Sequence, residues 1–79
     1  MLKEKGLYTV VTFPNTTAAL AMEAACKAQA IPGSIIPVPN QITAGCGFAW
    51  RADAGAREQI EGFLAERGLT FSQVYTIEL

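Results

Sequence analysis

The sequence predicts an α+β sandwich, in which helices pack on one face of an antiparallel sheet. Four runs rich in β-branched and aromatic residues are typical of strands, and two runs of helix-forming residues lie between them. Their order is strand, helix, strand, strand, helix, strand within 79 residues. This is the order of the ferredoxin-like βαββαβ sandwich, with two helices on one face of a four-stranded antiparallel sheet in the order 4-1-3-2. We expect residues 1–79 to form one such domain.

The predicted strands cover residues 7–13, 34–38, 46–51 and 70–79. The second contains Pro37, which cannot donate a ladder hydrogen bond, so we expect this strand at an edge of the sheet. Regular alternation places neighbouring side chains of the third strand on opposite faces. One face then carries Cys46, Phe48 and Trp50, and the other carries Gly47, Ala49 and Arg51.

The first helix is predicted to begin after three candidate N-cap residues and to end at Ala30, before Pro32 and Gly33. The N-cap candidates are Asn15, Thr16 and Thr17. Alanines dominate its apolar face, and small side chains allow a helix to lie close to a sheet. The residues predicted on this face are Ala18, Ala21, Met22, Ala25 and Ala28.

The second helix is predicted to run from an N-cap at Asp53 through Arg67, with Gly68 in the C′ position. Its apolar residues recur at the i, i+4, i+7, i+8 spacing of an amphipathic helix. They are Ala56, Ile60, Phe63 and Leu64, with Arg67 at the end of the same row.

Charge and hydropathy disfavour several classes of partner. Six basic and seven acidic residues give a net charge of −1, and no basic cluster offers a footprint for phosphates. Nucleic acid is therefore not an expected partner. No apolar run approaches the roughly 18 residues that a membrane span needs, and the first residues do not resemble a secretion signal. We expect a cytoplasmic protein that does not bind a membrane.

The content of cysteine and histidine limits the chemistry. Two cysteines without any histidine cannot form a four-ligand zinc site within one chain, and Ser-His and Cys-His catalysis are excluded. No metal or organic cofactor is expected. What remains is chemistry that a thiol performs with help from backbone dipoles.

Cys46, between Gly45 and Gly47, is the best candidate for that thiol. A structural interpretation is open as well, because paired glycines can form a bulge around a small buried cysteine. The predicted topology puts Cys46 and residues 15–17 at the same end of the sheet. Unpaired N–H groups and the dipole at the start of a helix favour a thiolate, so this placement supports a reactive Cys46.

Cys26 is predicted to pack in the core. It lies about ten residues along the first helix, or roughly 15 Å from its start at 1.5 Å per residue. A Cys26–Cys46 disulfide is therefore not expected, since bridged Cα atoms lie within about 7 Å of each other.

Several motifs together resemble a known family. They are Phe13-Pro14 with Thr17, Ala21 and Glu23; Ile36-Pro37-x-Pro39 with Ile42; Cys46-Gly47-x-Ala49-x-Arg51; and Val74-Tyr75. In this combination the chain resembles the small bacterial family described as putative selenium/sulfur carrier protein-like, over nearly its whole length. The Cys-Gly step after the two prolines is the most specific part. Relatives tend to have serines before this cysteine and charged residues after the second proline, whereas residues 40–45 here are Asn-Gln-Ile-Thr-Ala-Gly.

The resemblance implies a carrier, and not an enzyme, that holds sulfur or selenium on Cys46 as a persulfide or selenopersulfide. A donor such as a cysteine desulfurase and an acceptor protein are the implied partners. We expect Gly45 and Gly47 to give a partner close access, Thr43 to donate a hydrogen bond, and residues 15–17 to supply the helix dipole.

Two other functions remain open. One is a non-catalytic binding or regulatory module that associates through its sheet. The other is a redox thiol switch, for which no nearby resolving cysteine is present.

The strands also suggest an association surface, because apolar residues occur on both of their faces. Tyr8 and Val10 oppose Leu7 and Val11 in the first strand, whereas a sheet with one solvated face normally alternates apolar and polar residues. We expect a homodimer, or docking onto a larger partner, through the face without helices. The alternative is that twisted strand ends or the N-terminal residues cover this face.

Overall fold

The computed structural model describes residues 6–42 and 47–79. Along the chain lie β1 (Leu7–Thr12), α1 (Thr16–Gln29), β2 (Ser34–Pro37), β3 (Phe48–Asp53), a 3₁₀ turn (Ala54–Ala56), α2 (Arg57–Arg67) and β4 (Gln73–Glu78). The strands form one sheet in the order β2-β3-β1-β4, and every neighbouring pair is antiparallel. The predicted ferredoxin-like α+β fold and its strand order are confirmed. We call the end of the sheet at which β1 begins the lower end, and the other the upper end.

Both helices contribute to one core on the same face of the sheet, as predicted. Alternate residues of β1 and β3, represented by Val11 and Trp50, pack there against Met22 of α1 and Ile60 of α2. Ile60 and Met22 are completely buried. We call this face the helix face.

The opposite side of the sheet, which we call the open face, has an apolar cluster of its own. Val10 of β1 and Ala49 of β3 are completely buried there, although α1 and α2 both pack on the helix face. Ile42, from the loop after β2, belongs to the same cluster and is only 8% exposed. The residues that pack around these three are Tyr8, Ile36, Val38, Tyr75, Ile77 and Leu79. A segment of the β2–β3 loop thus covers the middle of the open face.

The buried face of α1 differs from the predicted one. Ala18 and Met22 are buried as expected, but Ala21 and Ala28 are exposed, while Ala19 and Cys26 take core positions. The alanines of α1 occur on several of its sides, so their spacing alone does not select the face that packs on the sheet. The larger side chains of Met22 and Cys26 fill the space above the sheet and decide the orientation.

The predicted N-cap at Asp53 is wrong for α2. Asp53 is the last residue of β3, where it pairs with Tyr8 of β1, and its side chain makes no capping hydrogen bond. The 3₁₀ turn follows, and α2 begins only at Arg57. The end of α2 agrees with prediction, because Gly68 adopts a left-handed conformation with φ of 63°.

β3 begins at Phe48, two residues after the predicted start. Gly47 lies outside the strand with φ of 84°, and Cys46 lies outside the described residues. The predicted alternation is confirmed where it can be compared: Trp50 belongs to the helix face, and Ala49 to the open face. β2 is an edge strand, as its proline predicted. Within residues 6–42 and 47–79, neither helix has the length and apolar character that crossing a membrane demands.

Candidate functional site

The loop between β2 and β3 is closed at its base by a backbone hydrogen bond. The Val38 N–H donates to the Gly47 carbonyl at 3.0 Å, one residue beyond the paired ends of the two strands. Gly47 itself is open to its surroundings, because a Cβ built on it would meet no atom within 4 Å. Its chain neighbour Cys46, with Thr43 and Gly45, lies outside the described residues. The predicted roles of these three residues therefore stay predictions.

The first part of this loop, residues 38–42, lies across the open face, and we call it the strap. The Ile42 N–H donates to the Pro39 carbonyl at 3.0 Å, which turns the chain so that Ile42 enters the cluster of Val10 and Ala49. The side chain of Gln41 donates through Nε2 to the carbonyl of Glu78 at 3.1 Å. Glu78 ends β4, the edge strand farthest from β2. The strap therefore runs across the open face from β2 to β4, and a hydrogen bond holds it at each end.

Of the three predicted candidates for the N-cap of α1, Asn15 takes that position. Its Oδ1 accepts a hydrogen bond from the Ala18 N–H at 2.8 Å. Thr16 and Thr17 follow as the first two residues of the helix, and all three are exposed. Since Asn15 already satisfies one free N–H of the first turn, fewer donors remain there for a thiolate than the sequence suggested.

The start of α1 and Gly47 both lie at the upper end of the sheet, because Thr12 of β1 pairs with Ala49 of β3. They contact different neighbours, however. Asn15 and Thr17 line a groove of about 530 Å³ together with Gly68–Thr70, the segment that leads from α2 to β4. Gly47 is bonded to Val38 beside β2.

Cys26 is a free thiol in the helix-face core and only 1% exposed. Desolvation raises the pKa of the Cys26 thiol to about 11, because burial disfavours the thiolate. The predicted packing role is confirmed. A thiol that is neutral and enclosed at neutral pH is a poor nucleophile, so Cys26 is not a candidate for thiol chemistry.

Two strap residues have a structural role that the sequence reasoning missed. Ile42 anchors the strap on the open face, and Gln41 ties it to β4. A lone isoleucine within the polar run 40–45 was the signal that could have indicated an anchor. Among the described residues, no three cysteine or carboxylate side chains come together as a metal site would require.

Comparison with known protein families matches residues 8–76 to the family described as putative Se/S carrier protein-like. The match spans both helices, all of β2 and β3, and most of β1 and β4, and it includes the strap and Cys46. Neither the curated proteins nor the solved structures contain a significant match to the chain. The chain belongs to the putative Se/S carrier protein-like family.

Proposed function

We propose that this protein carries a sulfur or selenium atom on Cys46, as a persulfide or selenopersulfide, and delivers it to an acceptor protein. The family membership over residues 8–76 is the observation that carries this proposal. The state of Cys26 supports the choice of residue. The chain has two cysteines, and Cys26 is enclosed in the core with a pKa raised to about 11.

The loop that contains Cys46 has features that suit a carrier. Its base is closed by the bond between Val38 and Gly47, and its first half is fixed by Ile42 and Gln41. Among the described residues, no atom lies within 4 Å of a Cβ built on Gly47, so another protein can approach the Gly47 backbone. Residues 38–42, held in this way, reduce the ordering entropy that binding a partner would otherwise cost.

Transfer of the sulfur atom from the donor to Cys46 needs no oxidant, because it is an exchange between two thiolates. The Cys46 thiolate attacks the outer sulfur of a cysteine persulfide on a donor enzyme such as a cysteine desulfurase. A new bond forms between that sulfur and Cys46 Sγ, while the donor's own S–S bond breaks and its cysteine leaves as a thiolate. Delivery repeats the exchange, with the acceptor as nucleophile and Cys46 as the leaving thiolate. Because Cys46 returns unchanged only after an acceptor takes the atom, the protein acts as a carrier and not as an enzyme.

Intact-mass spectrometry tests this function. The protein is incubated with a cysteine desulfurase and either cysteine or selenocysteine. We expect a mass gain of one sulfur or one selenium atom, unchanged in Cys26→Ala and abolished in Cys46→Ala. Absence of any adduct on the native chain, or an adduct that persists in Cys46→Ala, would contradict the proposal. The first of these outcomes would favour the non-catalytic binding or regulatory module.

Alkylation under native conditions provides a second measurement. Near neutral pH, we expect iodoacetamide to modify Cys46 much faster than Cys26, since the Cys26 thiol is enclosed and its pKa is raised. Comparing the single variants Cys26→Ala and Cys46→Ala assigns the two rates. Equal rates in the folded protein would contradict a reactive Cys46.

A further inference from the structure

Four polar side chains surround one cavity at the lower end of the open face. Arg51 of β3 is paired with Ser34 of β2, and Asp53 of β3 is paired with Tyr8 of β1. Directly paired residues project from the same side of a sheet, so these side chains are neighbours. Together with Pro32 and Gly33 they line a cavity of about 270 Å³. This cavity lies at the opposite end of the sheet from Gly47 and Phe48.

The guanidinium of Arg51 lies over an aromatic ring and has no anionic partner in the described part of the chain. Its Cζ atom lies 5.0 Å from the centroid of the Tyr8 ring. Within residues 6–42 and 47–79, Arg57 and Glu61 form an ion pair, whereas the Arg51 side chain neither joins an ion pair nor donates a hydrogen bond. Arg57, by comparison, donates to Glu61, to the Thr76 hydroxyl and to the Val74 carbonyl. The half-buried Arg51 thus keeps its donors available on one wall of the cavity.

The carboxylate of Asp53 is the complementary charge in the same cavity. Asp53 and Arg51 are two residues apart on one face of β3, or about 7 Å between Cα atoms. No nitrogen of Arg51 lies within 4.0 Å of the Asp53 carboxylate. Among the described residues, the Asp53 side chain also makes no hydrogen bond; its backbone carbonyl accepts one from Thr9. The cavity therefore presents a cation and an anion side by side, and neither is paired with another residue that the structure describes.

We infer that this cavity binds a small α-amino acid as its zwitterion. The planar guanidinium of Arg51, fixed by the Tyr8 ring, suits a carboxylate that accepts two parallel hydrogen bonds. The Asp53 carboxylate accepts from the ammonium group, and the Ser34 hydroxyl adds a further polar contact. A ligand with only one charge leaves the other cavity charge without a partner. The volume of about 270 Å³ is sufficient for such a ligand.

Titration of the ¹⁵N-labelled protein, followed by amide NMR shifts, tests this inference. The probes are L-alanine, propionate and ethylamine, the last two of which lack the ammonium and the carboxylate, respectively. We expect L-alanine to cause saturable shifts at Ser34, Arg51 and Asp53. Propionate and ethylamine should each bind with an affinity at least about tenfold lower than that of L-alanine, because each lacks one charged hydrogen-bonding group.

Matched variants complete the test. Arg51→Gln and Asp53→Asn should each weaken L-alanine binding by about tenfold, whereas Arg67→Gln and Glu66→Gln make the same charge changes at exposed positions of α2 and should have no effect. Arg51→Lys keeps the charge without the planar fork and should bind with intermediate affinity. The dispersion of the amide spectrum shows that each variant is folded. Equal affinity for alanine and propionate, unaltered binding in Arg51→Gln or Asp53→Asn, or no saturable shift would overturn the inference. None of these results depends on Cys46.

Discussion

Gly33 combines a backbone conformation that favours glycine with close contact to the core side chain of Trp50. Its φ of 126° is a conformation that residues with a side chain rarely adopt. The Trp50 indole passes beside it and donates through Nε1 to the Pro32 carbonyl at 3.2 Å. A Cβ at position 33 would lie within 3.0 Å of the Trp50 ring and of the Arg51 carbonyl. The close approach of β2 to β3 therefore depends on this glycine.

Gly33→Ala should lower the free energy of unfolding by about 2–4 kcal/mol, since backbone strain and overpacking act together. Urea denaturation measures the change. Gly47→Ala is the matched control, because Gly47 also has positive φ but has free space around it. It should cost only about 1 kcal/mol of backbone strain. Equal losses in the two variants would show that contact with Trp50 is unimportant.

Cys26 should make stability depend on pH in the alkaline range. Burial raises its pKa from 9.0 to about 11 in the folded protein, so the unfolded chain loses this proton first as the pH rises. The stabilising contribution is complete below pH 9 and is lost as the pH approaches 11. Urea denaturation across this range should show a steeper decline for the native protein than for Cys26→Ala. Parallel profiles would indicate that the Cys26 thiol is not desolvated as the structure implies.

At the scale of elements, the start of α1 is defined by one side chain. Asn15 has an extended conformation and accepts from the Ala18 N–H, while Thr16 and Thr17 already belong to the helix. No acidic residue lies in the first turn to add a favourable charge. The beginning of this helix thus depends on the cap.

Asn15→Ala should reduce the free energy of unfolding by about 1 kcal/mol, the usual cost of removing an N-cap side chain. Thr16→Ala changes an exposed neighbour without a capping bond and should alter stability by less than about 0.5 kcal/mol. Thermal and urea denaturation of both variants make the comparison. A larger effect at Thr16 would contradict the assignment of Asn15 as the cap.

Both edge strands of the sheet are protected by side chains or by proline. On β4, the Val74 carbonyl accepts from Arg57 and the Glu78 carbonyl accepts from Gln41. β2 is only four residues long and ends in Pro37. Occupied carbonyls and a proline both hinder the addition of another strand. Association of this protein through a continued sheet is therefore disfavoured.

At the scale of the whole molecule, the open face is partly covered by the chain itself. The strap places Ile42 over Val10 and Ala49, whereas Tyr8 and Tyr75 stay half-buried at the margin of the cluster. The expected homodimer or docking through this face stays a prediction. The alternative, cover by twisted strand ends or by the N-terminal residues, also stays a prediction, because residues 1–5 lie outside the described residues. The cover seen at the centre of the open face comes from the β2–β3 loop.

Ile42→Ala should both destabilise the protein, by about 2–3 kcal/mol, and increase its self-association, because it uncovers Val10 and Ala49. Sedimentation velocity over a series of concentrations measures association, and urea denaturation measures stability. Leu20→Ala, at a side chain on α1 that is 55% exposed, is the control and should change neither quantity much. Unchanged sedimentation of Ile42→Ala would show that uncovering the open face does not promote self-association.

The sequence predicted the fold, the strand order, an N-cap among residues 15–17, the C-cap at Gly68, the edge position of β2 and the packing of Cys26. These features depend on local signals: a change in hydrophobic period, a capping side chain, a glycine or proline at a boundary, and the burial tendency of free cysteine. It also carried the motifs that the family shares. Tertiary structure decided which face of α1 is buried, since alanines surround that helix and Met22 and Cys26 had to fit the sheet. It also placed a 3₁₀ turn after Asp53, laid the strap over the open face and brought Arg51 and Asp53 to one cavity. Each of these depends on contacts between segments distant along the chain, and local pattern does not encode such contacts.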